Sequence, residues 1–156
     1  MKRTACSLTG HRILPDHFNR RLLFDELESF IKDGCTTFFC GMAEGFDLLC
    51  LQFLIELKES YPIYVEACVP FKGQEKSFSR ENRLLYSDLI QKCDKVTVLF
   101  ERYKNGCFLV RDRYMVDCSD FLFAYCTKNE GGSAYTVRYA ISANKQVIYS
   151  KAGDLF

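Results

Sequence analysis

The stretch FFCGMAEGFDLLCLQFL, residues 38–54, decides how the fold of this chain is interpreted. It begins as an apolar run, is interrupted at Gly41 and Gly45, and continues as a second apolar run. The glycines let the backbone turn sharply between a strand and a helix, whose first N–H groups have no partner within the helix. Those groups would face an open crevice, which is a place for a ligand. The acids between the two runs, Glu44 and Asp47, either cap the helix or contact that ligand.

The same alternation of short apolar runs and longer helical segments continues along the whole chain. Strands are predicted at residues 4–10, 36–41, 63–70, 95–100, 121–126 and 146–150. Strands that alternate with helices are typical of a parallel sheet. We therefore predict a single domain over residues 1–156 of the α/β class, a three-layer Rossmann-like fold with a mainly parallel sheet of about six strands.

Five helices are predicted between these strands. The first has Asp16 as its N-cap and Gly34 as its C-terminal stop. The next three are predicted over about residues 44–60, 77–92 and 109–120, and the fifth begins with the segment at residues 131–145. The predicted buried faces are Leu22, Leu23, Leu27, Phe30 and Ile31 in the first helix, and Ala134, Val137, Ala140 and Ile141 in the fifth.

The composition indicates a packed interior and a nearly neutral surface. Hydrophobic residues make up 48% of the chain, which has 14 Phe and 9 Tyr, so we expect a core rich in phenylalanine. The net charge of +1 provides no overall field to attract nucleic acid or an anionic membrane. There is no apolar stretch of about 20 residues and no signal-peptide pattern at the N-terminus, so a cytoplasmic location without membrane contact is expected.

The cysteines are expected to be structural. There are nine, an odd number, and most lie inside or beside apolar runs (Cys6, Cys40, Cys68, Cys93 and Cys126), so they are interpreted as small buried hydrophobic residues. With no CxxC pair and only two histidines, neither a metal site nor a cofactor is expected.

Ligands of such sheets bind beyond the carboxyl ends of the strands. The predicted strand exits are TGHR (9–12), GMAEGFD (41–47), PFKGQ (70–74) and KNEGGS (128–133). In the first, Thr9, Gly10 and Arg12 are candidates for binding a phosphate, while His11 either stacks on a base or covers the rim. In the third, Lys72 is either a further phosphate contact or an ordinary surface residue.

The glycines in the last exit are candidates for phosphate binding. Gly131 and Gly132 precede a predicted helix, with Ser133 and Thr136 in its first turn. A phosphate could approach the backbone N–H groups at the positive end of the helix dipole, and the hydroxyls would add donors. The alternative is a plain tight turn in which Ser133 caps the helix.

Four segments that occur together and in order resemble a known superfamily: TGHR (9–12), GMAEGFD (41–47), RDRYMVDCSD (111–120) and GGSAYTVRYA (131–140). Together they are similar to the SLOG superfamily, whose Rossmann-like members include the DNA-processing DprA proteins and the Lonely Guy phosphoribohydrolases. The resemblance is closest to the YpsA-like bacterial and phage branch and covers nearly the whole chain. It implies a pocket for a nucleotide or a nucleotide-derived ligand, with phosphates near Gly131, Gly132 and Ser133. It also implies further contacts from Gly41, Gly45 and Asp47.

The resemblance does not imply turnover. Arg111, four residues before Met115, matches an arginine of the Lonely Guy enzymes, but their catalytic glutamate is matched by Arg138. Cleavage of an N-glycosidic bond builds positive charge on the ribose, which a guanidinium opposes. A hydrolase would therefore need Glu44 or Asp47 as its carboxylate. We assign Glu44 to helix capping. Asp47, together with Arg111, is assigned a catalytic or ribose-binding role, and a purely structural role explains Asp47 equally well.

Three functions remain open on the sequence. The first is a sensor or effector that binds a ligand such as NAD, ADP-ribose or a cyclic dinucleotide. The second is a hydrolase of nucleotide N-glycosidic bonds. The third, single-stranded DNA binding of the DprA type, is poorly supported by the near-neutral charge. Self-association is also expected, because related SLOG proteins pair through helices and the many aromatic residues need not all fit inside.

Overall fold

Six parallel strands form one sheet in the computed structural model, which describes residues 3–155. The strands are β1 (Ala5–Gly10), β2 (Thr37–Cys40), β3 (Tyr64–Phe71), β4 (Lys95–Phe100), β5 (Phe121–Tyr125) and β6 (Gln146–Tyr149). The helices are α1 (Arg20–Lys32), α2 (Phe46–Leu57), α3 (Arg80–Ile90), α4 (Cys107–Cys118) and α5 (Gly132–Ser142), with a 3₁₀ turn at Gln74–Ser77 that was not predicted. The predicted α/β class with a parallel six-stranded sheet is confirmed.

The helices cover both faces of the sheet. Along β5, Phe121 and Phe123 belong to the large core cluster that includes residues of α1, α2 and α3. Leu122 and Ala124 belong to a separate cluster with residues of α4 and α5. Because successive residues of a strand point to opposite faces, α1, α2 and α3 form one layer and α4 and α5 form the other.

The strand order is β4-β3-β2-β1-β5-β6, so the direction of winding reverses between β1 and β5. The chain moves outward from β1 to β4 and then returns to the other side of β1. Such a reversal leaves a crevice at the carboxyl ends of the two strands, where loops depart in opposite directions. The exits of β1 and β5 therefore frame the candidate site.

The start of α1 differs from the sequence prediction. Its N-cap is Asn19, whose side chain accepts a hydrogen bond from the Leu22 N–H at 2.9 Å, and not Asp16. The N–H of Asn19 donates to the carbonyl of Ala152 at 2.7 Å, a long-range contact that holds the chain outside the helix until Arg20. The stop at Gly34 is as predicted, with a φ of 111° that favours glycine.

Two burial predictions need correction. In α5, Ala134, Val137 and Ala140 are buried, but Ile141 is 58% exposed; it shares their face of the helix by periodicity and lies in the last turn, one residue before α5 ends. Leu22 and Ile31 of α1 are only partly buried, whereas Leu23, Leu27 and Phe30 lie in the core.

All nine cysteines are free thiols. Six are buried, as expected of small hydrophobic residues, but Cys93 and Cys126 are only half-buried and Cys118 is exposed. Across residues 3–155, the structure contains no cluster of three or more His, Cys, Asp or Glu side chains that could hold a metal ion. None of the helices in this range is long and apolar enough to cross a membrane.

Candidate functional site

A cleft of about 330 Å³ opens where the winding of the sheet reverses. We call it the central cleft. It is bounded by the exits of β1 and β5 and by the first turns of α2, α4 and α5. Its lining residues are Leu8, Thr9, Gly10, His11, Arg12, Ala43, Asp47, Phe108, Leu109, Arg111, Asp112, Lys128, Glu130, Gly131, Gly132 and Ser133.

Asp47, in the first turn of α2, is the buried group of the cleft that has an unsatisfied polar atom. Its side chain is buried, and its Oδ2 accepts a hydrogen bond from the Ala43 N–H at 3.2 Å. Its Oδ1 is buried without any hydrogen-bond partner among the residues that the structure describes. Burial raises the pKa of this carboxyl to about 7, although the nearby Arg111 acts to lower it. Buried polar atoms in folded proteins nearly always have a partner, so an unpaired one beside a cleft indicates a place for a ligand.

Arg111 of α4 is a buried guanidinium with fixed contacts. Its Nε donates to Oδ1 of Asp112 at 2.6 Å, and its Nη1 donates to the carbonyl of Gly41. The other oxygen of Asp112 accepts a hydrogen bond from Oγ1 of Thr136 at 2.9 Å. These contacts join the exit of β2, α4 and α5 into one network, which holds the guanidinium in a single orientation.

Gly41 is explained by this network. A Cβ added at Gly41 would lie 2.9 Å from Oδ2 of Asp47 and 3.1 Å from Cζ of Arg111. The glycine therefore allows the carboxyl group and the guanidinium to approach each other over the backbone. Gly41 itself is not among the residues that line the central cleft.

The N-terminus of α5 is open. Gly131 is the N-cap, with a φ of 99°, and no side chain caps the helix, so Ser133 does not have the capping role that a plain turn would give it. A Cβ added at Gly131 or Gly132 would meet nothing within 4 Å. The N–H groups of the first turn of a helix carry partial positive charge and lack partners within the helix. This end of α5 can therefore accept an anion from the cleft.

Two further cations and an aromatic ring complete the walls. Arg12 and Lys128 both line the cleft. The guanidinium of Arg12 lies 5.5 Å from the ring centre of Phe108, and that of Arg111 lies 5.8 Å from the same ring. Phe108 thus positions a guanidinium from the β1 exit beside one from α4 through cation–π contacts.

His11 joins the exits of β1 and β5. The backbone N–H of Thr127 donates to Nε2 of His11 at 2.9 Å, so this nitrogen accepts and the ring is neutral with its proton on Nδ1. Burial, helped by the charge of Lys128, lowers the pKa of His11 and favours the same form. Gly10, next to it, lets α2 pack on β1, because a Cβ there would lie 2.3 Å from the ring of Phe46.

Several predicted site residues lie outside the cleft. Glu44 is not the cap of α2, where Gly45 occupies the N-cap position; its Oε2 accepts hydrogen bonds from Nδ2 of Asn82 at 2.7 Å and from the Ser79 N–H at 3.4 Å. Glu44 therefore supports the start of α3. Lys72, beyond the end of β3, is not among the lining residues.

Gly45 and Thr136 are also used for structure. A Cβ added at Gly45 would lie 2.2 Å from the backbone oxygen of Arg12. Thr136 is buried, and its hydroxyl contacts the carbonyl of Gly132 as well as Asp112, so no donor remains for a ligand. Arg138, which the sequence resemblance aligned with the glutamate of the Lonely Guy enzymes, is exposed and donates to the carbonyl of Asn129 at 3.0 Å.

The structure brings Thr9, Gly10, Arg12, Asp47, Arg111, Gly131, Gly132 and Ser133 together as predicted neighbours. Sequence reasoning gave no role to Asp112, Phe108, Lys128 or Glu130. Lys128 and Glu130 lie within the exit of β5 that the sequence had singled out, and Asp112 is adjacent to Arg111. No pattern in the sequence indicated Phe108, whose role depends on two side chains from distant parts of the chain.

Relatives of this chain have been found in bacteria. A UPF0398 protein of Listeria monocytogenes serotype 4a (strain HCC23) is 27% identical over 122 residues, which cover 76% of this chain and 67% of that protein. A UPF0398 protein of Bacillus pumilus (strain SAFR-032) is 26% identical over 134 residues, covering 83% of this chain and 72% of that protein.

Two solved structures share the fold. DNA processing protein A from Helicobacter pylori, described for its single-stranded DNA binding mode, has a TM-score of 0.68 at 18% identity; the match covers 94% of this chain and 65% of that one. DNA processing protein A from Streptococcus pneumoniae has a TM-score of 0.69 at 14% identity, with 94% and 50% covered. The chain thus spans less than two thirds of either structure, and the likeness shows the fold alone.

One family model accounts for most of the chain. The model described as the YspA SLOG family matches residues 17–152, which span α1, the exits of β2 and β5, and the contact between Asn19 and Ala152. The resemblance predicted from four sequence segments is therefore confirmed, and this protein belongs to the YspA SLOG family.

Proposed function

We propose that this chain binds a nucleotide or a nucleotide-derived ligand, such as NAD or ADP-ribose, in the central cleft and acts as a cytoplasmic sensor or effector. The observation that carries the proposal is Oδ1 of Asp47, a buried carboxylate oxygen without a partner beside the cleft. A hydroxyl group of a ribose is a donor of the right size and polarity for such an oxygen.

Other residues that line the cleft support a phosphate. The open first turn of α5 and the side chains of Arg12 and Lys128 offer positive charge on the same cavity. Phosphate binds well at helix N-termini, where N–H groups and the dipole act together, and guanidinium groups match its geometry. A ligand with both a phosphate and a ribose therefore suits both the positive groups and the unpaired oxygen of Asp47.

The test is a thermal-shift screen of a nucleotide panel with wild type and Gly132→Val. A ligand at 100 times its dissociation constant adds about 2.7 kcal/mol of apparent stability. We expect this gain with wild type and its loss in Gly132→Val, since the valine side chain would occupy the open space at the start of α5. Ser142→Val, at the exposed far end of the same helix, is the matched control and should keep the gain.

If a folded Gly132→Val variant still binds the ligand, the phosphate does not bind at the turn that precedes α5. A wild type that no nucleotide stabilises would reject the proposal as a whole.

Hydrolysis of an N-glycosidic bond is a second candidate, favoured by the carboxylates of the cleft. Asp47 and Glu130 both line it, and Arg111 is fixed beside Asp47, whereas Glu44 is held at α3. We expect release of ribose 5-phosphate from purine monophosphates to be slow or absent, because removing one positioned charge-stabilising group costs about 100-fold to 1,000-fold in rate. Brisk release by wild type that is lost in Asp47→Asn would instead make Asp47 the catalytic carboxylate.

Single-stranded DNA is a third candidate, because one of the structural neighbours is known for binding it. The exposed Arg113 and Arg138 could give this chain a local basic patch, although the net charge of +1 supports no extended one. Fluorescence anisotropy with a labelled single-stranded oligonucleotide decides between DNA and a nucleotide as the ligand. Tight, salt-dependent binding that Arg113→Ala and Arg138→Ala weaken would favour DNA over the nucleotide.

Self-association is proposed as well. The exposed Tyr64 and Tyr103, together with Val96 and Val98 on the edge strand β4, are apolar surface that a second copy could cover. Light scattering at micromolar concentration should show a dimer or a larger species, and a monomer would contradict this proposal.

A further inference from the structure

A second cavity, of about 720 Å³, adjoins the central cleft. We call it the annex. His11, Arg12 and Lys128 line both cavities, so the two adjoin at these residues. The remaining lining residues of the annex are Ile13, Pro15, His17, Tyr125, Thr127, Gly153 and Leu155.

The two cavities differ in chemistry. The carboxylates and the buried guanidinium, Asp47, Asp112 and Arg111, line the central cleft and not the annex. The annex instead offers aliphatic surface from Ile13 and Pro15 and a ring from Tyr125. Ligand pockets typically combine apolar and aromatic walls with a few polar groups that fix orientation. A polar part of a ligand therefore suits the cleft, and a flat, mainly apolar part suits the annex.

The back wall of the annex is held by contacts within the protein. Tyr125 is 6% exposed and packs edge-on against His11, with ring centres 5.2 Å apart. The chain passes directly over this ring at Gly153, where a Cβ would lie 2.4 Å from a Tyr125 ring carbon. Nε2 of His17 donates to the carbonyl of Gly153 at 2.9 Å. These contacts fix the wall, so a ligand need not order it on binding.

The rim of the annex holds apolar surface that the chain itself leaves uncovered. Ile13 is 86% exposed, the largest exposure among the large hydrophobic side chains that the structure describes. It lies in the loop between β1 and α1, directly after Arg12, which reaches the central cleft. A planar group that covers this side chain would remove that aliphatic surface from water.

We propose that the annex binds the ring of the ligand, a nucleobase whose phosphorylated ribose lies in the central cleft, with Ile13 and His17 as specificity-determining contacts. The inference rests on the proposed function, since it assigns the second half of the same ligand. In this assignment the ligand is a complete nucleotide. His11, Arg12 and Lys128, which line both cavities, then contact the junction between ribose and base. The neutral His11 presents an uncharged ring at this junction.

The test compares two kinds of probe by isothermal titration calorimetry. Ribose 5-phosphate has no ring, whereas adenosine, guanosine, cytidine and uridine monophosphates and ADP-ribose carry one. The wild type should bind at least one ring-bearing probe about tenfold or more tightly than ribose 5-phosphate. Ile13→Ser should remove about a factor of ten from that preference, the value expected when one aliphatic contact is lost. His17→Ala should also reduce it, and neither variant should change the affinity for ribose 5-phosphate.

Controls separate this inference from the proposed function. Leu84→Ser makes a comparable aliphatic-to-serine change at a 64%-exposed side chain on α3 that lines neither cavity, and should change nothing. Gly132→Val should weaken both kinds of probe, because both need the phosphate site.

Two outcomes would overturn the annex assignment while the proposed function stands. One is equal affinity of wild type for ribose 5-phosphate and every ring-bearing probe. The other is a ring preference that Ile13→Ser and His17→Ala both leave intact, which would place the ring elsewhere. If the wild type binds none of these probes, the proposed function and the annex assignment are rejected together.

Discussion

The two glycine-containing turns that precede α2 and α5 look alike in sequence and differ in the structure. Each follows a strand at the carboxyl edge of the sheet, and each ends in a glycine with positive φ at the N-cap, Gly45 at 79° and Gly131 at 99°. At the first turn, a Cβ on Gly45 would collide with the backbone of the β1 exit. At the second, a Cβ on Gly131 or Gly132 would meet nothing within 4 Å.

Glycine therefore has two distinct uses at such turns. In the first turn it permits close packing, which brings α2 against the β1 exit and buries Asp47. In the second turn it leaves space, which exposes helix N–H groups to the central cleft. A glycine motif alone does not distinguish these uses, because the difference lies in what surrounds the missing Cβ.

The largest expected effect is on the free energy of unfolding, at the turn before α2 that contains Gly45. Gly45→Ala should destabilise the protein by about 3 kcal/mol or more, because it combines a positive φ with a contact of 2.2 Å to a carbonyl oxygen. Gly132→Ala should change stability by less than about 1 kcal/mol, since alanine suits a helix and the space is open. Urea unfolding of both variants measures the contrast, and equal losses would erase the distinction between the turns.

The next effect concerns Asp47, which the packed turn buries. Its pKa is about 7 in the folded protein against 3.8 for an ordinary aspartate, because of burial. Between these values the folded state holds a proton that the unfolded state has lost, so the free energy of unfolding falls as the pH rises. The contribution is fully present below pH 3.8 and lost once the pH passes about 7.

Asp47→Asn should remove this pH dependence. The difference in unfolding free energy between wild type and variant should change by up to about 1.4 kcal/mol per pH unit between pH 5 and 6, with the variant gaining relative stability. Urea unfolding at pH 5, 6 and 8 measures it, and taking the difference cancels groups common to both proteins. Parallel curves would mean that the carboxyl titrates normally.

A smaller effect is expected at Glu44, the acid of the first turn that contacts α3. Glu44→Ala should cost about 1 kcal/mol of stability, since it removes the acceptor of the Asn82 and Ser79 hydrogen bonds at a half-buried site. Nucleotide binding should not change. A double-mutant cycle with Asn82→Ala measures the coupling, and additive losses would show that the pair is unimportant.

The smallest effect is expected at Lys72, a sequence candidate for phosphate binding that does not line the central cleft. Lys72→Ala should change nucleotide affinity by less than about twofold, because an exposed charge at a distance is screened by salt. The same substitution at Lys128, which does line the cleft, serves as the positive comparison in the same titration. A larger loss at Lys72 than at Lys128 would move the phosphate toward the exit of β3.

The sequence predicted what depends on local patterns. All six strands appear where apolar runs indicated them, and the exits of β1 and β5 share one edge because parallel strands end together. The predicted start of α1 was wrong because the N–H of Asn19 donates to the carbonyl of Ala152, and a contact between residues so far apart in the sequence leaves no local pattern.

The sequence predicted which backbone segments form the site, but it did not predict the contacts among the side chains there. Glu44 and Asp47 are three residues apart in one motif. In the folded protein Glu44 contacts α3, whereas Asp47 is buried, and this difference arises only from tertiary packing. Likewise Asp112 gains its role from contacts with both Arg111 and Thr136, and Phe108 from two guanidiniums, which no spacing in the sequence encodes.

The unpaired oxygen of Asp47 has a consequence for how long the protein survives in a cell. A buried acceptor without a partner lowers the stability of the empty form, and a ligand that supplies the donor raises it. Proteases act on the fraction of molecules that unfolds, so the empty form would be degraded faster than the occupied one. The abundance of the protein would then follow the concentration of its ligand without any change in transcription.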